Sequence, residues 1–242
     1  MQAIVMAAGK GSRLGKLTKG RPKSFIEIKG KKLIEYNLQL LEQYHVDEVI
    51  IVTGYMSEAF EELAQTRNNI KIVYNPFYEM MNVLGSFYMG MELLWDDFLF
   101  LHADTLCEQK ILEQLVQMKA DVLLPVDYKP CDEEAMKVRS RRGKIVQITK
   151  QMPNEQAEGE FIGMAAFRKE VLPKLKEKTR QLMKEKAFTA YFESAIQRLI
   201  EEENFDIQAV PTGSAFWTEI DFPEDYEKAC AQIPESLTEI FG

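Results

Sequence analysis

The residues best suited to chemistry crowd into the opening stretch, Gln2 to Ser24. An apolar run, Ala3–Met6, empties into the small residues Ala7, Ala8 and Gly9. A loop carrying Lys10, Gly11, Ser12 and Arg13 follows, and Pro22-Lys23 comes after a short variable segment. Small residues let backbone N–H groups close on phosphate oxygens, while Arg and Lys neutralise their charge. The pattern therefore suits a polyphosphate. Two familiar phosphate loops are excluded: the spacing of the P-loop is absent, and Leu14 stands where the dinucleotide fingerprint needs a third glycine. A lone Gly-x-Gly would read more plainly as a strand-to-helix turn with solvated basic residues. Arg13 and Pro22-Lys23 tip the reading towards phosphate.

Two carboxylates complete the candidate set. Asp104 follows the apolar strand FLFLH directly, and Asp221 ends the run Ala215–Ile220. A carboxylate at each of two strand ends can grip one divalent ion between them, and Mg²⁺ prefers one or two carboxylates with phosphate oxygens and water. Each Asp has a second reading as a helix cap, Asp221 ahead of Pro223-Glu224-Asp225, and capping and metal binding can coexist.

These residues need elements that hold them at one edge. Periodicity predicts an α/β chain. Strands are expected at 48–53 (β-branched, hence buried in a parallel sheet), 70–74 and 98–102. Helices are expected at 32–44, from Ser57 as cap to about Gln65, and at 83–94. In such sheets ligands bind outside the carboxyl ends of the strands. That brings Gly9–Arg13, Gly54-Tyr55, Asn75 and Ala103-Asp104 to one rim. The second half changes character: a helix at 108–118, a strand at 121–126, and a hairpin of 136–140 and 144–149 around Arg141-Arg142-Gly143. A strand at 160–167, helices at 170–184 and 189–203, strands at 206–210 and 215–220, and a helix opening at Pro223 complete it. The expected arrangement is one domain, 1–242, with a nucleotide-binding half (1–126) and an acceptor-binding, closing half (127–242) on a shared core.

The composition narrows the function. At 242 residues, 46% hydrophobic and 28% charged, the chain can build a large core. A net charge of −8 leaves no basic excess for a nucleic-acid backbone, so a bound triphosphate needs a local cluster of cations. The three cysteines, Cys107, Cys131 and Cys230, are far apart and read as reduced thiols. The two histidines, His45 and His102, argue against a His-based zinc site or a Ser-His-Asp triad. No apolar run approaches a membrane span or a signal peptide, so a cytoplasmic protein is expected. The oligomeric state is open, a homodimer included.

The opening motif, Ala7, Ala8, Gly9, Gly11, Arg13, Pro22 and Lys23, resembles the signature of the nucleotidyltransferases, which move a nucleoside monophosphate from an NTP onto a phosphorylated acceptor. The ending Glu219-Ile220-Asp221-Phe222-Pro223-Glu224-Asp225-Tyr226 and the spacing Asn75…Asn82…Ser86 resemble the phosphocholine and 2-aminoethylphosphonate cytidylyltransferases, although Val83 stands where that subgroup often has a second Asn. The resemblance implies a Rossmann-like fold with an acceptor-binding lid. It implies CTP and Mg²⁺ as partners, with Asp104 and Asp221 holding the metal. Arg13 and Lys23 would act on the polyphosphate. Ala7, Ala8, Gly9, Gly11, Gly54, Tyr55, Asn75, Asn82, Ser86, Ala103 and Asp104 would line the nucleotide. Asn75 reads equally as a turn residue before Pro76, and Asn82 and Ser86 as cap or surface.

On the acceptor side the resemblance points to Lys150; Glu160 starts a strand near the expected site and Glu219 is counted with the acceptor residues, while Tyr191, Phe192, Glu193 and Trp217 put aromatics beside carboxylates that could hold a cationic head through cation–π contact and ion pairing. The alternative is core aromatics with Glu193 exposed. The implied reaction brings two anions together, so metal, Lys and Arg must offset their repulsion. A phosphate oxygen is already ionised at neutral pH and needs no protein base. Rival readings are a sugar-1-phosphate nucleotidyltransferase using UTP, dTTP or GTP, and a non-catalytic nucleotide sensor.

Overall fold

The computed structural model describes residues 1–241. Its first elements are β1 (Gln2–Ala7), the small hairpin β2 (Glu27–Ile28) and β3 (Lys31–Lys32), α1 (Leu33–Gln43), β4 (Glu48–Thr53), α2 (Ser57–Ala64), β5 (Ile70–Tyr74), α3 (Val83–Gly90) and β6 (Phe98–His102). Next come β7 (Thr105–Cys107), α4 (Gln109–Val116), β8 (Val122–Asp127), β9 (Lys137–Arg141), β10 (Lys144–Thr149), β11 (Gly159–Phe161) and β12 (Met164–Phe167). The chain finishes with α5 (Leu172–Lys184), α6 (Glu193–Glu202), β13 (Ile207–Pro211), β14 (Trp217–Glu219), α7 (Pro223–Gln232) and α8 (Glu235–Glu239).

Ten strands form one sheet, in the order β11-β9-β10-β13-β8-β12-β6-β1-β4-β5. The run β6-β1-β4-β5 is parallel. β12 enters antiparallel between β6 and β8, so the second half continues the first half's sheet. Strand alternation divides the core into two layers. Ala3 and Val5 of β1, Val49 and Ile51 of β4, and Leu99 and Leu101 of β6 face the layer that includes α1, α4 and α7. Ile4 and Met6, Ile50 and Val52, and Phe98 and Phe100 face the layer that includes α3, α5 and α6. Each fully buried Phe or Ile contributes about 1.5–3 kcal/mol. Among the described residues no helix is long and apolar enough to cross a membrane.

Several expectations shift. Ser57 is not a cap: Met56 takes that place with φ 51°, and the Ser57 hydroxyl shares a 2.8 Å hydrogen bond with Thr53. The predicted strand at 160–167 breaks at Gly163, whose φ of +78° no strand accommodates, giving β11 and β12. Helix α3 stops at Gly90 and passes into a 3-10 turn, Met91–Leu93. The late helix begins at Glu193 rather than near Thr189. Strand β7 and helix α8 were not anticipated; at three and five residues they are too short to show periodicity.

Candidate active site

Lys23 lies at the centre. It opens a 3-10 turn behind Pro22, and its Nζ donates to Asp104 Oδ2 at 2.6 Å and to Asp221 Oδ1. Two oxygens that bond one nitrogen are within two hydrogen-bond lengths of each other, so residues far apart in the chain share one point. Gly11 makes the approach feasible. Its φ is +67°, and a Cβ there would sit 2.6 Å from Lys23 Cβ. Asp104 follows β6, and its carbonyl accepts the Ile220 N–H at 3.1 Å. The two-stranded ladder of β7 and β14, with Thr105 opposite Glu219, carries Asp221 alongside. Phe222, not Asp221, holds the N-cap position of α7, and the carboxylate of Asp225 in the first turn accepts the N–H groups of Asp221 and Phe222 at 3.0 and 2.8 Å. The Asp221 side chain is thereby left to Lys23. Arg13 is the second cation here, 3.9 Å from Asp221 Oδ2 and over the Phe222 ring at 5.2 Å.

Two cations, Lys23 and Arg13, face three carboxylates here, Asp104, Asp221 and Glu219. Burial would lower the Lys23 pKa, but the charges of Asp104 and Asp221 outweigh it and hold the ammonium above its ordinary value. Asp104 is the converse: burial would raise it, yet Lys23 and His102 keep it below the usual range. Burial, then the charges of Asp104 and Asp221, push Glu219 up to about 8. One ligand atom from each of His102, Asp104 and Glu219 lies within 4.8 Å of the others. Asp104 Oδ1 and His102 Nε2 are shut from solvent with no hydrogen-bond partner among the described residues. Three carboxylates around one lysine, with a buried unpartnered oxygen among them, fit a hard divalent cation. Sequence reasoning missed His102 in this cluster. Its signal was its position, last in the strand that ends just before Asp104.

The nucleotide-side residues divide. The loop after β1 is stitched to the loop after β4 by Tyr55 N–H donating to the Ala8 carbonyl at 3.1 Å. Gly54 is needed there, because a Cβ would meet Tyr78 at 2.5 Å and that carbonyl at 2.8 Å. Lys10 reaches over the Tyr55 ring at 5.5 Å. Ala7 ends β1, Gly9 follows with open space beside it, and Ala103 N–H bonds the Met6 carbonyl at 3.1 Å. Asn75 and Ser86 are both buried and joined to each other: Asn75 Nδ2 donates to Ser86 Oγ at 3.2 Å, and Asn75 Oδ1 accepts Phe77 N–H at 2.9 Å. Asn82 is the cap of α3, accepting Val83 N–H at 2.8 Å, and its amide reaches Thr189.

Acceptor-side expectations change more. Phe192 is a core residue, wholly buried, with its ring 3.9 Å from that of Phe100 and 4.6 Å from that of Phe87. Glu193 is not an exposed helix residue. It is buried with Oε2 unpartnered, and burial raises its pKa against the charges of His102 and Lys150. The aromatic faces meant for a cationic head carry the chain's own ammonium groups. Lys150 lies over Tyr191 at 4.9 Å, and Lys129 over Trp217 at 4.5 Å. Glu160 pairs with Lys129 at 2.9 Å. Glu219 joins the Asp104 cluster.

The comparison that decides the family is a match of residues 3–190 to the MobA-like NTP transferase domain. The chain belongs to this family. It is an enzyme of the nucleotidyltransferase class. Over 94% of its length, this NTP transferase is 26% identical to the CTP:phosphoglutamine cytidylyltransferase of Campylobacter jejuni, covering 98% of that protein. It is 29% identical to the choline-phosphate cytidylyltransferase of Haemophilus influenzae over 61% of this chain and 62% of that protein. Among solved structures, the CTP:phosphocholine cytidylyltransferase from Streptococcus pneumoniae superposes with TM-score 0.82 at 23% identity, over 96% of this chain and 99% of that one. The inositol-1-phosphate CTP transferase from T. maritima gives 0.80 at 23% identity, over 99% and 95%. At such identity the structural likeness speaks for the fold, a Rossmann-like mixed sheet flanked by helices.

Proposed function

We propose that the chain transfers CMP from CTP to a small phosphorylated or phosphonylated alcohol or amine and releases pyrophosphate. The observation that carries the reading is the convergence of Arg13, Lys23, Asp104 and Asp221 on one point at the carboxyl edge of the parallel strands. The cytidylyltransferase of Campylobacter jejuni that matches 94% of the chain supports CTP as donor.

Arg13 and Lys23 neutralise the polyphosphate and the charge that develops at the α-phosphorus. The loop Ala8–Gly11 offers backbone N–H groups to phosphate oxygens, and the stitched pair Gly54-Tyr55 flanks the nucleoside. Asp104 and Asp221 would hold a Mg²⁺ ion, which would supply positive charge to the polyphosphate when bound. The acceptor oxygen attacks already ionised, so no side chain need take a proton. The half 1–126 serves the nucleotide, and the half 127–242 the acceptor. A second reading, a sugar-1-phosphate nucleotidyltransferase using UTP, dTTP or GTP, is motivated by the shared fold of a putative glucose-1-phosphate thymidylyltransferase from Bacillus anthracis, with TM-score 0.77 at 18% identity over 96% of this chain and 94% of that one. Pyrophosphate release measured with CTP, UTP, dTTP and GTP, each with phospho-alcohol and sugar-1-phosphate acceptors and Mg²⁺, tests the proposal. Turnover with CTP and phospho-alcohols supports it. A preference for UTP or dTTP with sugar phosphates overturns it.

A further inference from the structure

Trp217, Asp127 and Glu160 form a seat for a positively charged group, and the seat is taken. Trp217 lies on β14 and shares a strand face with Glu219, two residues on and so about 7 Å away along the strand. Its indole Nε1 donates to Asp127 Oδ2 at 3.0 Å, which fixes the plane of the ring. Asp127 ends β8 directly opposite Glu160 of β11. An aromatic face with two carboxylates beside it is the chemistry that recognises an ammonium. The Lys129 ammonium is there already, 4.5 Å from the ring centroid, 3.1 Å from Asp127 and 2.9 Å from Glu160. Burial opposes the charge on Lys129, but the two carboxylates prevail and keep it protonated. Lys150 covers Tyr191 in the same way.

Building on the cytidylyl-transfer reading, we propose that Lys129 determines acceptor specificity by occupying this seat, so that the enzyme disfavours acceptors with a fixed cationic head and takes those whose head is uncharged. A competing head must evict an ammonium that is tethered to the site, paired with two carboxylates and facing the ring. A tether of this kind gives an effective concentration of order millimolar or higher.

The test compares the wild type with Lys129→Met, which keeps the apolar stem and removes the charge. Initial rates with CTP are measured with two acceptors of similar size, glycerol 3-phosphate and phosphocholine. The expected result is a wild-type preference for glycerol 3-phosphate. In the variant kcat/KM for phosphocholine should rise about tenfold, the gain of one desolvated cation–π contact, with little change for glycerol 3-phosphate. A second arm needs no turnover: choline is titrated into both proteins in a Trp95→Phe background, so that fluorescence reports Trp217 alone. The variant should bind choline about tenfold more tightly. Equal choline affinity in the two proteins, or a phosphocholine preference unchanged by the substitution, overturns the proposal. If no acceptor turns over with CTP, the cytidylyl-transfer reading fails, while the choline titration still decides the role of Lys129.

Discussion

Replacing Lys23 by Met removes the one cation bonded to both Asp104 and Asp221 and leaves the aliphatic stem packed beside Gly11. Breaking a fully buried ion pair by removing one partner costs about 3–5 kcal/mol. Here the Lys23 side chain is 10% exposed, while those of Asp104 and Asp221 are 24% and 37% exposed, so solvent absorbs part of the penalty. About 1–3 kcal/mol remains once screening is allowed for. A domain of this size loses about 2–4 °C in Tm for each kcal/mol, so the variant should melt several degrees below the wild type at pH 8 without metal. The sign with pH follows from Asp104. Its folded pKa is depressed by Lys23, so the stability it contributes is present above the ordinary carboxylate range and disappears as pH falls through the folded value. The gap in Tm between wild type and variant should therefore narrow in acid. Mg²⁺ should raise the Tm of the variant more than that of the wild type, because the three carboxylates, Glu219 included, are left without their lysine. The assay is thermal unfolding at pH 8 and in acid, with and without Mg²⁺, beside pyrophosphate release. Turnover should fall by about 10²–10³-fold, as when one preorganised donor to developing charge is lost. A variant with wild-type Tm at pH 8 and near-wild-type turnover would refute the reasoning.

Glu219→Gln should stabilise the metal-free protein at pH 8. The folded state holds the Glu219 proton up to about 8, so wild-type stability declines as pH climbs from the ordinary carboxylate range to that value, and melting curves across this window should converge at the acid end. Phe192→Ala should cost about 3–5 kcal/mol by opening a cavity beside Phe100 and Phe87; chemical denaturation measures this, and an acceptor KM changed in the folded variant would return Phe192 to the acceptor site. Gly54→Ala should raise the KM for CTP, because the new Cβ meets the Ala8 carbonyl and Tyr78 and displaces the loop after β1; unaltered CTP binding would detach that loop from the nucleotide. Cys107, whose thiol burial pushes up to about 12, should resist a thiol reagent under native conditions that labels Cys131, as peptide mapping would report.

The sequence by itself determined the strands of the parallel core and the rim they share. β-Branched and aromatic runs such as Val49–Val52 and Phe98–Leu101 have period and length enough to identify buried strands, and a parallel sheet sends its strand ends to one rim whatever the details. Residue type and spacing also singled out Arg13, Lys23, Asp104 and Asp221 as candidates, and the fold brings their side chains to one point. Tertiary structure decided which polar and aromatic groups are free. Asn75 and Ser86 satisfy each other, Phe192 fills the core, and Glu193 is buried, because a helix face is assigned to core or cleft only when its neighbours are in place. The ammonium of Lys129 sits on Trp217 for a similar reason. Cation–π and ion-pair contacts between residues distant in sequence have no period along the chain, so only the packing of β8, β11 and β14 against one another brings them together.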